Sequence, residues 1–345
     1  MPSPRSRAPS PKSESARGVG GPPLALGVDL GATKVVSVLT DPSGRVVFQG
    51  DRLRHGNEGP SGVHAVVVRS ARQCLDGLAS PPRAMGISIA AQVDPDRGTV
   101  RSSPNLGWRD LAWGASLRDE LGYPVRLVND ARAATYAEWR FGAGRGETDL
   151  FGLVLGTGVG GSAVVGGVLL DGGSHALGEV GHLTIRSGGR KCSCPNSGCF
   201  EAYVGGWAIA ARAREAVAAS GAEGAALAVR KDPVEGITAE TVFEAARTGD
   251  PLAVRLVRET DEWLCDGAVT VVNAFNPSVL VLAGGLLEGR PEWVPRVQRA
   301  VRDRCPPAAA GARVVAAEFG PLAGAVGAAE LARAQVGRRT PRARA

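Results

Sequence analysis

Residues 178–203, GEVGHLTIRSGGRKCSCPNSGCFEAY, hold the densest set of reactive side chains in the sequence. Three of the six cysteines lie within eight residues, ten positions after a histidine: His182, Cys192, Cys194 and Cys199. Glu179 and Glu201 flank this cluster. Clustered cysteines in a chain without an export signal indicate metal or redox chemistry rather than disulfides. The polar sequence between them disfavours the alternative, a set of thiols buried in a core.

A turn with phosphate-binding character follows the first apolar segment, in DLGATK (residues 29–34). Asp29 suits a water-mediated contact to Mg²⁺, because this ion keeps several waters and takes few carboxylates. Gly31 lets the backbone approach a phosphate closely, and Thr33 and Lys34 can donate hydrogen bonds to it. In isolation such a segment is usually a simple turn.

A second glycine turn, VLGTGVGG, places Gly156, Thr157 and Gly158 after another apolar segment. With Gly161 it matches G-x-G-x-x-G, but a dinucleotide fingerprint must open a helix, and the following SAVVGGVLL is rich in β-branched residues. Gly284 and Gly285 end a third apolar segment. A tight hairpin is the alternative at each turn, but together the turns favour a nucleotide bound in a cleft.

The elements that position these turns repeat a strand, a glycine turn and a returning strand, first near residues 24–49 and again near 150–172. Helical patterns are predicted over residues 63–79, 115–121, 131–141 and 205–273, and strands in AMGISIA, VRLV and SVLVLAGGLL. A closing helix is predicted over about 321–334. Two related α/β lobes that face one another are the architecture this pattern predicts.

Charge and hydropathy exclude several classes of function. The net charge is +6, but residues 1–18 carry +3 and residues 332–345 carry +5, so the rest of the chain is slightly acidic. This distribution argues against nucleic-acid binding. No apolar run is long enough for a membrane span, and no secretory signal is present, so we expect a cytoplasmic protein.

Several motifs together resemble the ROK family of sugar kinases. They occur in the family's order as GVDLGATK, PNLGW, LVNDARAA, LGTGVGG, GEVGH, CSCPNSGCFE and LVLAGG. The resemblance covers about residues 24–334 and implies the two-lobed actin/hexokinase-like (ribonuclease H-like) α/β fold, with an active-site cleft between the lobes. It divides the chain into a disordered basic tail (1–23), an N-terminal lobe (24–130) completed by the closing helix, a C-terminal lobe with a zinc-binding loop (131–320), and a second basic tail (335–345).

The resemblance implies ATP-dependent phosphorylation of the primary hydroxyl of a hexose, most simply glucose, with Mg²⁺ on the nucleotide. Asp130 matches the catalytic base, which accepts the proton of the sugar hydroxyl. Other polar residues match sugar-contacting positions: Asn105, Asn129, Glu179, His182 and Glu201. The glycine turns, with Asp29, match the nucleotide site. The family also implies a homodimer or a higher homo-oligomer.

The resemblance resolves the chemistry of the cysteine cluster. Its histidine and three cysteines supply the four nitrogen and sulfur ligands of a closed, structural Zn²⁺ site. The metal would clip a loop that has little core of its own, and so hold Glu179 and Glu201 in place. In the family the same histidine also contacts the sugar through its other ring nitrogen.

Departures from the family pattern affect the substrate more than the activity. The segment SIAAQVD puts Ala90, Ala91 and Gln92 where a glycine-rich turn is common, and Arg132 replaces a common asparagine. The sugar is therefore open between glucose, an N-acylhexosamine, fructose and a sugar-like cyclitol, and polyphosphate is open as an alternative donor. A non-catalytic sugar-binding regulator is the alternative of another class. It is disfavoured because Asp130 is present and the N-terminal tail cannot form a helix-turn-helix.

Overall fold

The first lobe is built on a six-stranded sheet. The computed structural model describes residues 23–56, 58–220 and 236–338. The strands of this sheet are β1 (Ala25–Leu30), β2 (Lys34–Thr40), β3 (Val46–Gln49), β4 (Leu53–Arg54), β5 (Ala84–Ile89) and β9 (Val125–Asn129). Their order is β3-β2-β1-β5-β9, with β4 beside β2; β1 and β2 are antiparallel, whereas β1, β5 and β9 are parallel. Every residue of β5 is buried, as expected for a parallel strand covered on both faces.

A small antiparallel sheet extends from the first lobe towards the second. It consists of β6 (Gln92–Asp94), β7 (Thr99–Ser103) and β8 (Trp108–Leu111). Two helices accompany the lobe, α1 (Gly59–Leu75) and α2 (Trp113–Leu121). Trp108 of β8 meets Trp113 of α2 edge-on at a ring-centroid distance of 5.0 Å, which anchors the small sheet to the lobe.

The second lobe repeats the arrangement of the first. Its strands are β10 (Leu150–Leu155), β11 (Val159–Val165), β12 (Val168–Leu169), β13 (Val279–Ala283) and β14 (Arg313–Ala316), in the order β12-β11-β10-β13-β14. The pair β10 and β11 is an antiparallel hairpin, and β13 lies parallel to β10, as β5 does to β1. This is the repeat of strand, glycine turn and returning strand from which the sequence predicts two related lobes.

Helices α3 to α9 complete the part of the chain that the structure describes, and polar side chains cap several of them. They are α3 (Asp130–Phe141), α4 (Glu201–Val204), α5 (Gly206–Ser220), α6 (Ala239–Arg247), α7 (Pro251–Phe275), α8 (Trp293–Arg304) and α9 (Ala323–Arg338). A side-chain oxygen caps the first turn of three helices: it belongs to Asn129 in α3, to Thr238 in α6 and to Asp250 in α7. The long α7 ends at Asn276 in the left-handed conformation.

Helix α9 returns to the first lobe and packs its backbone directly against the parallel strands and α3. Gly27 of β1 and Gly86 of β5 face the helix, and a methyl group at either would lie 1.9 or 2.0 Å from a carbonyl oxygen of α9. Gly327 of α9 faces α3 in the same way, since a methyl group there would lie 1.7 Å from the carbonyl oxygen of Ala133. Only glycine permits such close approach.

The observed elements differ from the predicted ones mainly at their ends. The helix predicted over residues 63–79 is α1, which begins earlier because Pro60 lies in its first turn. The closing helix continues to Arg338, past the predicted end at residue 334. The tail residues 1–22 and 339–345, and residues 221–235 of the predicted helical region, lie outside the described residues. The domain boundaries stay predictions. Within the described ranges no helix combines the length and apolarity that a membrane crossing requires.

We expect Gly86→Ala to destabilise the first lobe, because the added methyl group must push α9 away from β5. Overpacking of this kind costs about 1–3 kcal/mol of unfolding free energy. Gly311→Ala is the matched control, since a methyl group at that position meets nothing within 4 Å. Urea denaturation followed by circular dichroism measures both variants. If Gly86→Ala and Gly311→Ala unfold at the same urea concentration, α9 can shift without loss of stability and the prediction is wrong.

Candidate active site

A carboxylate ends the first strand of the first lobe. Asp29 lies near the carboxyl end of β1, and Ser88 of the neighbouring β5 donates a hydrogen bond of 2.6 Å to its Oδ1. Burial raises the pKa of Asp29 above its usual 3.8, although the bond from Ser88 acts in the opposite direction. A buried carboxylate in this state favours a nearby cation.

A second carboxylate begins α3, directly after β9. Asp130 Oδ1 accepts hydrogen bonds from its neighbours, at 2.8 Å from the Ala131 amide and 3.2 Å from Asn129 Nδ2. Burial, followed by the charges of Asp29 and Glu179, raises the pKa of Asp130 to about 7. A carboxylate that titrates near neutrality is well suited to accept a proton from a hydroxyl group.

Asn129 orients this end of α3. Its Oδ1 accepts the amide hydrogen of Arg132 at 3.0 Å, which caps the helix, and its Nδ2 also donates to the carbonyl oxygen of Ala91 at 3.2 Å. Asn129 is therefore the N-cap of α3. The cap also fixes Asn129 beside Asp130, so one residue serves both the helix and the site.

A narrow cavity of about 20 Å³ lies between the lobes beside these residues. Ala91, Gln92 and Asn129 line it from the first lobe, and Arg132 and Glu179 are among the residues of the other wall. Its volume suits a water molecule rather than a sugar ring, so a sugar requires the walls to separate. Burial raises the pKa of Glu179, against the opposing effects of His182 and of a hydrogen bond from Gln92.

The four predicted metal ligands converge. One ligand atom from each of His182, Cys192, Cys194 and Cys199 lies within 4.8 Å of all the others. His182 Nδ1 faces Cys192 Sγ at 3.6 Å, while its Nε2 lies 3.8 Å from a carboxylate oxygen of Glu179. All three cysteines are free thiols. Imidazole and thiolate donors fit Zn²⁺, which would neutralise the thiolates. The orientation of the histidine leaves its second nitrogen facing Glu179.

Glu201 ties the cysteine loop to the second glycine turn. Its carboxylate accepts hydrogen bonds from the Val159 amide at 2.8 Å, Trp207 Nε1 at 3.0 Å and Ser193 Oγ at 3.1 Å. A methyl group at Gly158 would lie 2.3 Å from Oε2, so glycine is needed there. This buried junction was missed from the sequence, where Glu201 is predicted only as a sugar contact.

The predicted nucleotide-binding turns of the second lobe lie at the carboxyl ends of adjacent strands. The turn from Gly156 to Gly158 follows β10, and its chain is held by amide hydrogen bonds from the start of α5. Gly284 follows β13 with φ of 99°, where a methyl group would lie 2.3 Å from the carbonyl oxygen of Leu155. Gly285 and Gly156 face open space. A phosphate can therefore approach both turns closely.

The first glycine turn and Asn105 are more exposed. The Gly31 amide donates to the carbonyl oxygen of Lys34 at 3.0 Å, while the side chains of Thr33 and Lys34 face solvent. Asn105 lies exposed in the turn between β7 and β8 and is not among the residues that line the narrow cavity. Of the predicted sugar-contacting residues, Asn129 and Glu179 line that cavity, whereas Asn105, His182 and Glu201 do not.

A chain of charged groups not predicted from the sequence joins the lobes at the edge of the cleft. Arg132 of α3 pairs with Asp171 at 2.9 Å, and His175 Nδ1 lies 2.5 Å from the other oxygen of Asp171. His175 Nε2 then faces Asp96 of the small sheet at 3.7 Å. His175 has no motif around it, so only the fold reveals its position.

Two lobes with the same strand pattern, a cleft between them and glycine turns at the strand ends define the actin/hexokinase-like class of fold. A sequence model of the ROK family matches residues 25–335, and the chain belongs to this family. The predicted fold and the predicted family are confirmed.

Relatives of this chain include sugar kinases and regulators. The glucokinase of Streptomyces coelicolor is 31% identical over 318 residues, which cover 90% of this chain and 98% of that protein. This chain is also similar to a solved structure, that of a ROK family glucokinase from Streptomyces griseus in complex with glucose and AMPPNP. The TM-score is 0.76 and the sequence identity is 33%, and the match covers 90% of this chain and 99% of that chain. The xylose repressor of Bacillus subtilis is 26% identical over 271 residues, covering 77% and 65% of the respective chains.

The metal cluster predicts one zinc ion per chain. We expect Cys194→Ala to abolish zinc binding, because three ligands no longer close the tetrahedron. The loop should then open, and trypsin should cleave it after Arg190 or Lys191. Elemental analysis and mass spectrometry of the fragments measure both effects. Cys305→Ala, which lies outside the cluster, should keep the zinc and resist cleavage; purified native protein without zinc would contradict the assignment.

Proposed function

We propose that the protein is an ATP-dependent sugar kinase that phosphorylates the primary hydroxyl of a hexose, with glucose as the leading substrate. The observation that carries this proposal is Asp130, a partly buried carboxylate at the cleft whose pKa is raised to about 7. Phosphoryl transfer requires a group that accepts the hydroxyl proton, whereas sugar binding alone involves no proton transfer. The similarity to glucokinases over nearly their whole length supports the same activity.

In the proposed reaction, Asp130 accepts the proton of the primary hydroxyl as that oxygen bonds to the γ-phosphorus of ATP. The bond from this phosphorus to the β,γ-bridging oxygen breaks, and ADP leaves. Asn129 holds Asp130 at the start of α3, so that the carboxylate need not reorganise during proton transfer. The charges of Asp29 and Glu179 raise the proton affinity of Asp130 and so strengthen it as a base.

The sugar is proposed to lie between the lobes, with its hydroxyls bound by Asn105, Asn129, Glu179, His182 and Glu201. Several of these side chains are held before the sugar arrives: Asn129 by the helix cap and Glu201 by three hydrogen bonds. Zinc, where bound, would fix the ring of His182 with its Nε2 towards the sugar. Because the observed cavity is narrow, we expect the lobes to open for entry and close around the ring.

The nucleotide is proposed to lie across the cleft, with its phosphates against the glycine turns of both lobes. Support comes from the Streptomyces griseus relative, whose structure contains AMPPNP. Gly156 and Gly285 face open space and leave room for the phosphates and the nucleoside, while Gly158 and Gly284 allow the two turns to pack closely against the protein behind them. Asp29 fits a water-mediated contact to Mg²⁺, which would neutralise charge on the phosphates. Closure would exclude water from them and limit hydrolysis without sugar.

A sugar-binding regulator is the second candidate, because xylose repressors are among the relatives. A regulator would bind the sugar with the same residues but would show no turnover. Within the kinases, Gln92 is the residue most able to change the preferred sugar. It bonds to Glu179 in the wall of the cavity, where a ring substituent other than a hydroxyl could replace that bond.

Asp130→Asn should abolish most turnover while sparing sugar binding, since the amide keeps the shape but cannot accept the proton. Loss of a general base typically lowers kcat by about 10²–10⁴-fold. A coupled ADP-release assay measures the rate, and calorimetry measures glucose binding. Asp303→Asn, an exposed carboxylate of α8, is the control and should keep full activity. Near-native kcat in Asp130→Asn would exclude Asp130 as the base.

The assignment of Asp130 as the base also predicts the direction in which kcat/KM changes with pH. Only ionised Asp130 accepts a proton, and its pKa is raised to about 7. The native kcat/KM should therefore rise about tenfold per pH unit below that value and level off above it. The residual activity of Asp130→Asn should lack this rise. A native profile that is flat between pH 5 and 7 would contradict the assignment.

The substrate is tested by comparing kcat/KM for glucose, N-acetylglucosamine, N-acetylmannosamine, fructose and a C7-cyclitol. We expect glucose to be preferred, because a site built to bind each hydroxyl leaves polar groups unpaired when a hydroxyl is missing or replaced. Polyphosphate replaces ATP in a parallel series. A tenfold preference for another ring would reject glucose but keep the kinase. Sugar binding without turnover on any ring would favour the regulator.

A further inference from the structure

A second and larger cavity, of about 310 Å³, lies in the first lobe, and its rim reaches the edge of the cleft at Asp96, which faces His175. It opens at the amino ends of β5 and β9, whereas Asp29 and Asp130 lie at the carboxyl ends of the same sheet. The last turns of α9 form one wall, and the turn of residues 95–98 between β6 and β7 forms part of the rim. Its volume is in the range of pockets that hold small molecules. The proposed kinase reaction makes no use of it.

The cavity is surrounded by positive charge. Four arginines line it, against one carboxylate, Asp96: they are Arg83, Arg97, Arg118 and Arg126. Such a surplus around a concave surface attracts anions, because guanidinium groups bind phosphate and carboxylate oxygens in pairs.

Two of these guanidinium groups have no strong competing partner. Across residues 23–56, 58–220 and 236–338, Arg83 forms no ion pair. Arg118 pairs with its sequence neighbour Asp119 at 3.2 Å, but both side chains are more than half exposed, so the pair contributes little. Arg97 lies 4.0 Å from an oxygen of Asp94 that Arg101 already binds at 2.7 Å. An anion in the cavity would therefore gain contacts without breaking a buried ion pair.

Apolar and aromatic residues also line the cavity: Pro82, Met85, Tyr123, Pro124 and Val336. Rigid prolines and a tyrosine ring present flat surfaces at little cost in side-chain entropy, and they suit a planar or ring-shaped body.

We propose that this cavity binds a small phosphorylated organic molecule, with its phosphate on Arg83 and Arg118 and its apolar body against Tyr123 and the prolines. A phosphate is favoured over a single carboxylate because several guanidinium groups surround the space and a phosphate carries the larger charge. Asp96 is the only carboxylate among the lining residues, and it faces His175 of the other lobe. The cavity therefore has the character of a binding site rather than of a second catalytic centre.

The probe for this site is phenyl phosphate, which combines the two features in one small molecule. Calorimetric titration of the full chain is performed with saturating ADP, so that the proposed nucleotide site is filled. We expect saturable binding of one molecule per chain at concentrations up to about 10 mM. Inorganic phosphate, which lacks the ring, should bind at least tenfold more weakly.

The double variant Arg83→Gln, Arg118→Gln should bind phenyl phosphate at least tenfold more weakly, since each substitution removes a charge-assisted hydrogen bond to the phosphate. The matched control is Arg258→Gln, Arg299→Gln, which removes the same charge from exposed positions of the second lobe and should bind as the native protein does. Equal thermal unfolding midpoints verify that both variants are folded.

The outcomes separate this inference from the proposed kinase. Absence of saturable binding, equal affinity in the two double variants, or equal affinity of phenyl phosphate and inorganic phosphate would each overturn it. Asp130→Asn should bind phenyl phosphate with native affinity, because that residue lies at the other end of the sheet. A failure of the kinase assay would leave the result of this titration unchanged.

Discussion

The close packing of α9 against the first lobe is the constraint on which the rest of the structure depends. Three glycines allow helix and strand backbones to meet: Gly27, Gly86 and Gly327. The helix begins beside the cleft, where a methyl group at Gly324 would lie 2.3 Å from Asp29 Oδ1. Because β1, β5 and α3 all rest on this one helix, it fixes the position of Asp29 relative to Asp130. The packing of α9 on the sheet therefore determines the distance and orientation between the two carboxylates.

Electrostatic repulsion among the carboxylates of the cleft favours the binding of cations there. Carboxylates of both lobes face one space, and their mutual repulsion adds to burial in raising the pKa of Asp130. The proposed magnesium ion would offset this repulsion on the nucleotide side, and the proposed zinc would do so among the thiols. Glu201 connects the two regions, because its carboxylate binds both the cysteine loop and the glycine turn. A change in the cysteine loop would therefore alter the second glycine turn through the hydrogen bonds of Glu201.

The sequence predicted those features that depend on local chemistry. Apolar strands that end in glycine turns and the spacing of His182 and the three cysteines are local patterns, and the structure has both of them. Features that depend on distant partners were not predicted. The hydrogen bond from Val159 to Glu201 and the approach of His175 to Asp96 join segments with no shared motif. Short elements such as β6 to β8 carry too little periodicity to be recognised.

The position of α9 in the chain also sets the order of assembly during synthesis. A ribosome completes β1 near the start of translation and α9 only after the entire second lobe, which at about 5–20 residues per second takes about a quarter of a minute to a minute. Throughout that interval the surface around Ala25 and Ala84, which α9 later buries, has no cover. Nascent chains that stall before α9 would expose this strip and aggregate or recruit chaperones. Cellular yield would then depend on how quickly the last helix emerges.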